Sequence, residues 1–121
     1  MAVQLWLRIV VRDRDYATVV LTPGASPLIG RDESANDIVL HDPGVSRMHV
    51  RIACRGDQYF VQDLGSTSGT FVDGKRVDRD VLLHGGEQIE LGGCVLRAVV
   101  RPWTHRDEDA DDPTYVERRT R

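Results

Sequence analysis

The sequence predicts an all-β sandwich, and three observations predict it. Apolar and polar residues alternate with a period of two, turn signals recur between the alternating stretches, and no stretch sustains a helical period. Many short strands joined by regular turns are the pattern of two packed antiparallel sheets. The elements follow in chain order. Leu5, Leu7, Ile9 and Val11 fall on one face, with Gln4, Arg8 and Arg12 on the other. Met48, Val50, Ile52 and Cys54 alternate with His49, Arg51 and Arg55. Asp73-Gly74, set between Phe71-Val72 and Lys75-Arg76-Val77, is a two-residue hairpin signal. Ile89 and Leu91 alternate with Gln88 and Glu90, and Leu96, Ala98 and Val100 with Arg97 and Arg101. Each is the pattern of a strand with one buried face. Pro23-Gly24, Asp42-Pro43-Gly44, Gly56-Asp57, Gly85-Gly86 and Gly92-Gly93 supply the remaining turns.

A chain of 121 residues has room for one domain, and an apolar fraction of 40% is enough for one core. The net charge of −3, with Lys and Arg scattered, argues against a nucleic-acid partner. Gln4 and Arg8 interrupt the N-terminal apolar run, so no signal peptide is expected, and no segment approaches the roughly 20 apolar residues of a membrane span. The expected location is the cytoplasm. Cys54 and Cys94 sit inside strand patterns and read as buried free thiols of a reducing compartment. The histidines at 41, 49, 84 and 105 make no metal-ligand spacing with them, so neither metal nor cofactor is expected. After residue 101 the composition changes. Asp107, Glu108, Asp109, Asp111 and Asp112 form an acidic cluster, followed by Arg118, Arg119 and Arg121. With so little apolar content the segment reads as a flexible tail, which divides the chain into a folded 1–101 and a tail 102–121.

Three short motifs carry the functional signal: Gly30-Arg31, Ser46-Arg47-Met48-His49, and Gly65-Ser66-Thr67-Ser68-Gly69-Thr70. Gly30 ends a strand and permits either a positive φ or a close backbone approach. Arg31 then enters a loop with a planar fork suited to a phosphate. Ser46 can donate to a phosphate oxygen. Arg47 either adds charge or simply faces solvent. His49 opens a strand, where an imidazole can brace loops by bonding to backbone. In the third motif the glycines allow a tight turn and the hydroxyls supply donors. Such a set can hold an oxyanion without chemistry on it.

The three motifs, in this order and at these spacings, resemble those of the forkhead-associated (FHA) domain over roughly residues 5–100. The resemblance implies an FHA-type sandwich of about 11 strands with the binding loops at one end. It implies a module that binds phosphothreonine peptides and recruits partners in Ser/Thr kinase pathways. Arg31 would be the main phosphate contact, Ser46 and Thr67 the hydroxyl contacts, with Arg47 and Ser68 beside the peptide. Gly30, His49, Ser66, Gly69 and Thr70 would hold the loops. The position of Ser68 is usually asparagine in the family, whose amide grips the peptide backbone, and a serine lacks that paired donor and acceptor. The partner would be a phosphothreonine protein or this chain's own tail. Thr114 follows the acidic cluster, with Val116 and Arg118 after it. That pattern is similar to tails of small bacterial FHA proteins that a Ser/Thr kinase modifies and the domain then binds. The alternative on the same fold is a phosphate-independent adaptor. Two enzymatic patterns fail. Gly65–Gly69 has Thr67 where a nucleophile elbow needs serine. Gly69–Lys75 has the spacing of a phosphate loop, but Arg76 stands where Ser or Thr is required. No enzyme is expected.

Overall fold

The computed structural model describes residues 3–102 and 114–117. Twelve strands account for most of them: β1 Val3–Val11, β2 Arg14–Leu21, β3 Leu28–Gly30, β4 Ile38–Val39, β5 Val50–Arg55, β6 Gln58–Asp63, β7 Thr70–Val72, β8 Lys75–Arg76, β9 Val81–Leu83, β10 Gln88–Leu91, β11 Cys94–Pro102 and β12 Thr114–Glu117. They form a seven-stranded sheet in the order β12-β2-β1-β11-β10-β7-β8 and a five-stranded sheet in the order β4-β3-β5-β6-β9. Every strand up to Pro102 thus belongs to a sandwich of six and five strands, and β12 lies on its β2 edge. All ladders are antiparallel except β3–β4, where Ile29 and Gly30 pair in parallel with Ile38 and Val39.

The alternating residues turn inward as their period requires. Leu5, Leu7 and Ile9 of β1, Leu21 of β2, Ile29 of β3, Val50 and Ile52 of β5, Val61 of β6, Ile89 and Leu91 of β10 and Leu96 of β11 are fully buried in one core. Tyr59 joins the two layers. Its ring is buried, and its hydroxyl lies 2.9 Å from the Val3 carbonyl and 3.1 Å from the Leu21 carbonyl of the opposite sheet. Burial disfavours the phenolate and raises the Tyr59 pKa. Cys54 and Cys94 are free thiols, and burial pushes the Cys94 pKa up to about 11.

In one place the alternation is out of phase. Met48 is 43% exposed and lies before β5, whereas His49 and Val50 are both buried. The reason is that residue 49 closes a loop: its N–H donates to the Ile29 carbonyl and its carbonyl accepts from Leu64. The period-two ladder with β6 begins only at Val50.

The connections β1–β2, β3–β4, β4–β5, β6–β7 and β10–β11 gather at one end of the sandwich. Arg12 N–H donates to the Gly93 carbonyl at 3.0 Å, and a Cβ placed on Gly92 would strike the Gly44 backbone. Tyr59→Phe should lower the unfolding free energy by about 1–3 kcal/mol, since two carbonyls lose their cross-layer donor. Urea unfolding of the two proteins reads this directly, and equal midpoints would deny Tyr59 that role.

Candidate functional site

The site begins where β3 ends. A side chain at Gly30 would collide with the Arg47 carbonyl and the Asn36 amide, so this position requires glycine for close approach, not for φ. The approach lets the backbone of 31–32 pair with the β4–β5 loop: Arg31 N–H donates to Ser46 O at 3.0 Å and Asp32 N–H to Arg47 O at 3.2 Å. Asn36 braces the same junction, its Nδ2 donating to Asp32 O and Arg47 O at 2.8 and 2.6 Å. Arg31 is exposed, yet its Nε donates to the Val45 carbonyl at 3.0 Å. That bond holds the guanidinium through Nε and leaves both terminal nitrogens without a partner among the described residues.

His49 ties two loops together. It is fully buried, Nδ1 accepts the Ser46 N–H at 2.9 Å, and Nε2 lies 2.9 Å from the Gly69 carbonyl. Since Nδ1 accepts, Nε2 must carry the ring proton and donate. Both nitrogens are therefore occupied by backbone. A second tie runs directly between the loops: Ser46 Oγ accepts the Thr67 N–H at 3.0 Å, which leaves the Ser46 hydroxyl proton for another acceptor. A third is made by Ser68, whose hydroxyl donates to the Gly44 carbonyl at 2.8 Å. Ser68 thus spans the gap between the loops, a connection that the sequence does not reveal. Thr67 is exposed, with no side-chain partner among the described residues. The Arg47 side chain is likewise exposed and makes no hydrogen bond to the described residues. The loops bring Arg31, Ser46, Thr67 and Ser68 to one end of the fold.

Two carboxylates that sequence reasoning passed over organise these loops. Asp63, at the end of β6, accepts the N–H groups of Gly65 and Ser66 and the hydroxyls of Ser66 and Thr70, at 3.0, 3.1, 2.5 and 2.7 Å. Burial works against its charge, but these four donors outweigh burial and lower its pKa. Ser66 and Thr70 are thereby committed to the loop's interior. Asp42 is almost fully buried and accepts from Arg12 Nε, Gly44 N–H and Gly93 N–H at 2.9, 2.8 and 3.1 Å. Here too burial opposes the charge and the donors prevail, so the pKa falls. Asp32 accepts the N–H and the hydroxyl of Ser34, which lower its pKa, with smaller help from the charges of Arg47 and Arg31. Arg76 was also missed. Its guanidinium lies against Gly69, where a Cβ would come within 3.1 Å of Nε.

Chemically, this end offers an anion the terminal nitrogens of Arg31, the hydroxyls of Ser46 and Thr67, and the positive field of Arg47 and Arg76. His49 cannot serve as a base there, because it is buried and both its ring nitrogens are bonded to backbone. Among the described residues no group of three or more His, Cys, Asp or Glu could hold a metal ion.

The FHA domain family matches residues 28–92, and the chain belongs to that family. It is 36% identical over 90 residues to the FHA domain-containing protein FhaB of Mycolicibacterium smegmatis, covering 74% of this chain and 57% of that protein. It is 40% identical over 57 residues to the glycogen accumulation regulator GarA of the same organism, covering 47% of this chain and 35% of GarA. The chain thus spans about half or less of the length of these relatives. Among solved structures, the FHA domain of CT664 from Chlamydia trachomatis superposes with a TM-score of 0.73 at 25% identity, covering 84% of this chain and 99% of that one. Mycobacterium tuberculosis EmbR, solved with a low-affinity phosphopeptide, superposes with a TM-score of 0.71 at 31% identity, covering 87% of this chain and 26% of EmbR.

Asp63→Asn should destabilise the protein by about 1–3 kcal/mol at neutral pH, because an amide cannot accept from four donors at once. A carboxylate whose folded pKa is depressed stabilises above its unfolded value, near 4, and loses that contribution as the pH falls through the folded value. The stability gap between wild type and variant should therefore be constant from pH 7 to 5 and shrink below about pH 4. Urea unfolding across that range measures it, and a gap independent of pH would remove the charge from the explanation.

Proposed function

We propose that this chain binds phosphothreonine peptides at the loop end and, without catalysing a reaction, recruits a partner in a Ser/Thr kinase pathway of the cytoplasm. The observation that carries this reading is the set of unspent donors held by tied loops. Arg31 is fixed through Nε with its terminal nitrogens free, and Ser46 is joined to Thr67 while keeping its own proton. A phosphothreonine brings about −1.5 to −2 of charge and three acceptor oxygens. Arg31, Ser46 and Thr67 receive those oxygens, and Arg47 lies beside the peptide. Ser68 acts through the Gly44 carbonyl it holds, so its contribution is placement of the loops that grip the peptide.

The phosphopeptide bound to EmbR supports the ligand class. Relatives named as regulators, GarA and the oxoglutarate dehydrogenase inhibitor of Corynebacterium jeikeium, support a regulatory role over an enzymatic one. We place the folded module at 1–101 and assign the remainder to a regulatory tail. Thr114 is its proposed phosphorylation site, and the modified tail is a ligand for the same pocket.

Calorimetry with a phosphothreonine peptide and its unphosphorylated twin tests the reading. Equal binding of both would favour the phosphate-independent adaptor. Arg31→Ala should cost on the order of 2–4 kcal/mol of binding, one charge-assisted contact, or roughly 30- to 1000-fold in affinity. Its unfolding midpoint should stay close to that of wild type, since Arg31 is exposed. Ser68→Ala loses only a loop-to-loop bond and should weaken the same peptide by about 1 kcal/mol, near fivefold. If Ser68→Ala instead matches Arg31→Ala, Ser68 contacts the ligand directly.

A further inference from the structure

The sandwich has four lateral edges, and they are unequal. β4 and β8 are two residues long, β8 is Lys-Arg, and β9 has three residues. Short or charged edges resist pairing with foreign strands. β2 is different. It runs for eight residues, contains neither proline nor lysine, and presents Ala17, Val19, Val20 and Leu21 in succession around Thr18. Left bare, it would be a long apolar edge with a free row of backbone donors and acceptors. In the structure β12 covers it, pairing Thr114 with Leu21, Tyr115 with Val20, Val116 with Val19 and Glu117 with Thr18.

The register also fixes where Thr114 sits. The Arg14 end of β2 adjoins the Arg12-Asp13 turn, which touches Gly93 and Asp42 at the loop end. Leu21 lies at the opposite end, since Leu5 pairs with Leu21 and Val3 with Pro102. Seven residues of β2 separate the two ends, about 23 Å at strand rise. While β12 is paired, Thr114 is at the wrong end of the sandwich for Arg31. Once unpaired it can reach: Pro102 and Thr114 are twelve residues apart, up to about 40 Å of chain, against about 27 Å along β11 from Pro102 to Cys94.

We infer that the edge of β2 is a second peptide-docking site, that residues 114–117 are its occupant, and that it competes with the phosphate-binding loops for the same segment. The competition rests on the phosphothreonine reading above; the edge docking does not. With Thr114 unmodified, main-chain pairing holds the segment on β2 and the loops stay open to other ligands. With Thr114 phosphorylated, the added charge is drawn to Arg31 and the donors of the loop end, so the segment leaves β2.

The full chain tests this by hydrogen exchange. Val116→Pro should weaken the pairing of β12, because proline supplies no N–H and its ring crowds the paired strand. Amides within 17–21 should then exchange faster by at least about tenfold, while those of β5 are unchanged. In full-length protein carrying phosphothreonine at 114, installed by peptide ligation, the same β2 amides should accelerate. The affinity for an external phosphothreonine peptide should fall by at least about tenfold, because the tethered tail is at millimolar effective concentration. Identical β2 exchange in Val116→Pro and wild type would overturn the edge docking. Retained β2 protection in the phosphorylated protein, with external binding blocked, would overturn the competition. If unmodified protein binds no external phosphopeptide, the loop reading and with it the competition fall, and the Val116→Pro comparison still decides the edge.

Discussion

One buried, neutral imidazole governs the functional end of this protein. His49 takes the Ser46 N–H on one nitrogen and gives its proton to the Gly69 carbonyl with the other. Ser46 lies in the β4–β5 loop and Gly69 in the β6–β7 loop, so the ring sets the distance between them. Only one tautomer satisfies both bonds, and a second proton would cancel the bond to Ser46. Because the ring is fully buried, no solvent replaces a bond that is lost. A histidine used in this way cannot also relay protons to a ligand. The same bonds that make it a brace occupy both ring nitrogens.

Around that brace the hydroxyls are sorted by their partners. Ser66 and Thr70 give their protons to Asp63, and Ser68 gives its proton to Gly44 O. Ser46 accepts from Thr67 N–H and keeps its proton. Five hydroxyls at this end therefore fall into two groups. Three are consumed in shaping loops, and the hydroxyl protons of two, Ser46 and Thr67, have no acceptor among the described residues. Asp63 and Asp42 are internal anions that absorb the surplus donors of the loops. Without them, the Gly65, Ser66, Gly44 and Gly93 N–H groups would face solvent or ligand in competing arrangements.

Much of the sandwich could be read from sequence where a strand buries one face and leaves the other wet. β10 and most of β11 alternate for that reason, whereas Gln4 on the polar face of β1 is buried and its Nε2 donates to the Pro102 carbonyl; Asp73-Gly74 closes its hairpin with both residues at positive φ. The turn from β1 to β2 was not visible because Arg12 and Asp13 also take positive φ, at 49° and 65°, without a glycine to signal it. Contacts to Gly93 and Asp42 hold that turn, and they come from 30 residues and more away. The parallel pairing of β3 with β4 rests on two residues per strand, too few for a periodic signal. In the site, exposed donors on motif loops were legible. Asp42, Asp63 and Asn36 were not, since an aspartate or asparagine in a turn looks alike in sequence whether it caps its own turn or anchors a distant one.

The arrangement separates what holds the protein together from what meets a ligand. The core and its cross-layer bond at Tyr59 lie behind the loops. The side chains of Arg31, Arg47 and Thr67 are exposed and contribute few of the loop-to-loop bonds. Arg31 is the instructive exception, because its Nε is spent on Val45 O while its terminal nitrogens are not. Anchoring one nitrogen costs the side chain its rotamer freedom before any ligand arrives, so less entropy remains to be lost on binding. A lysine at this position could not divide its roles in that way, since it has no second nitrogen to hold the first in place. Arg31 is thus a cation that the loop tethers through one nitrogen while the other two stay unbonded among the described residues.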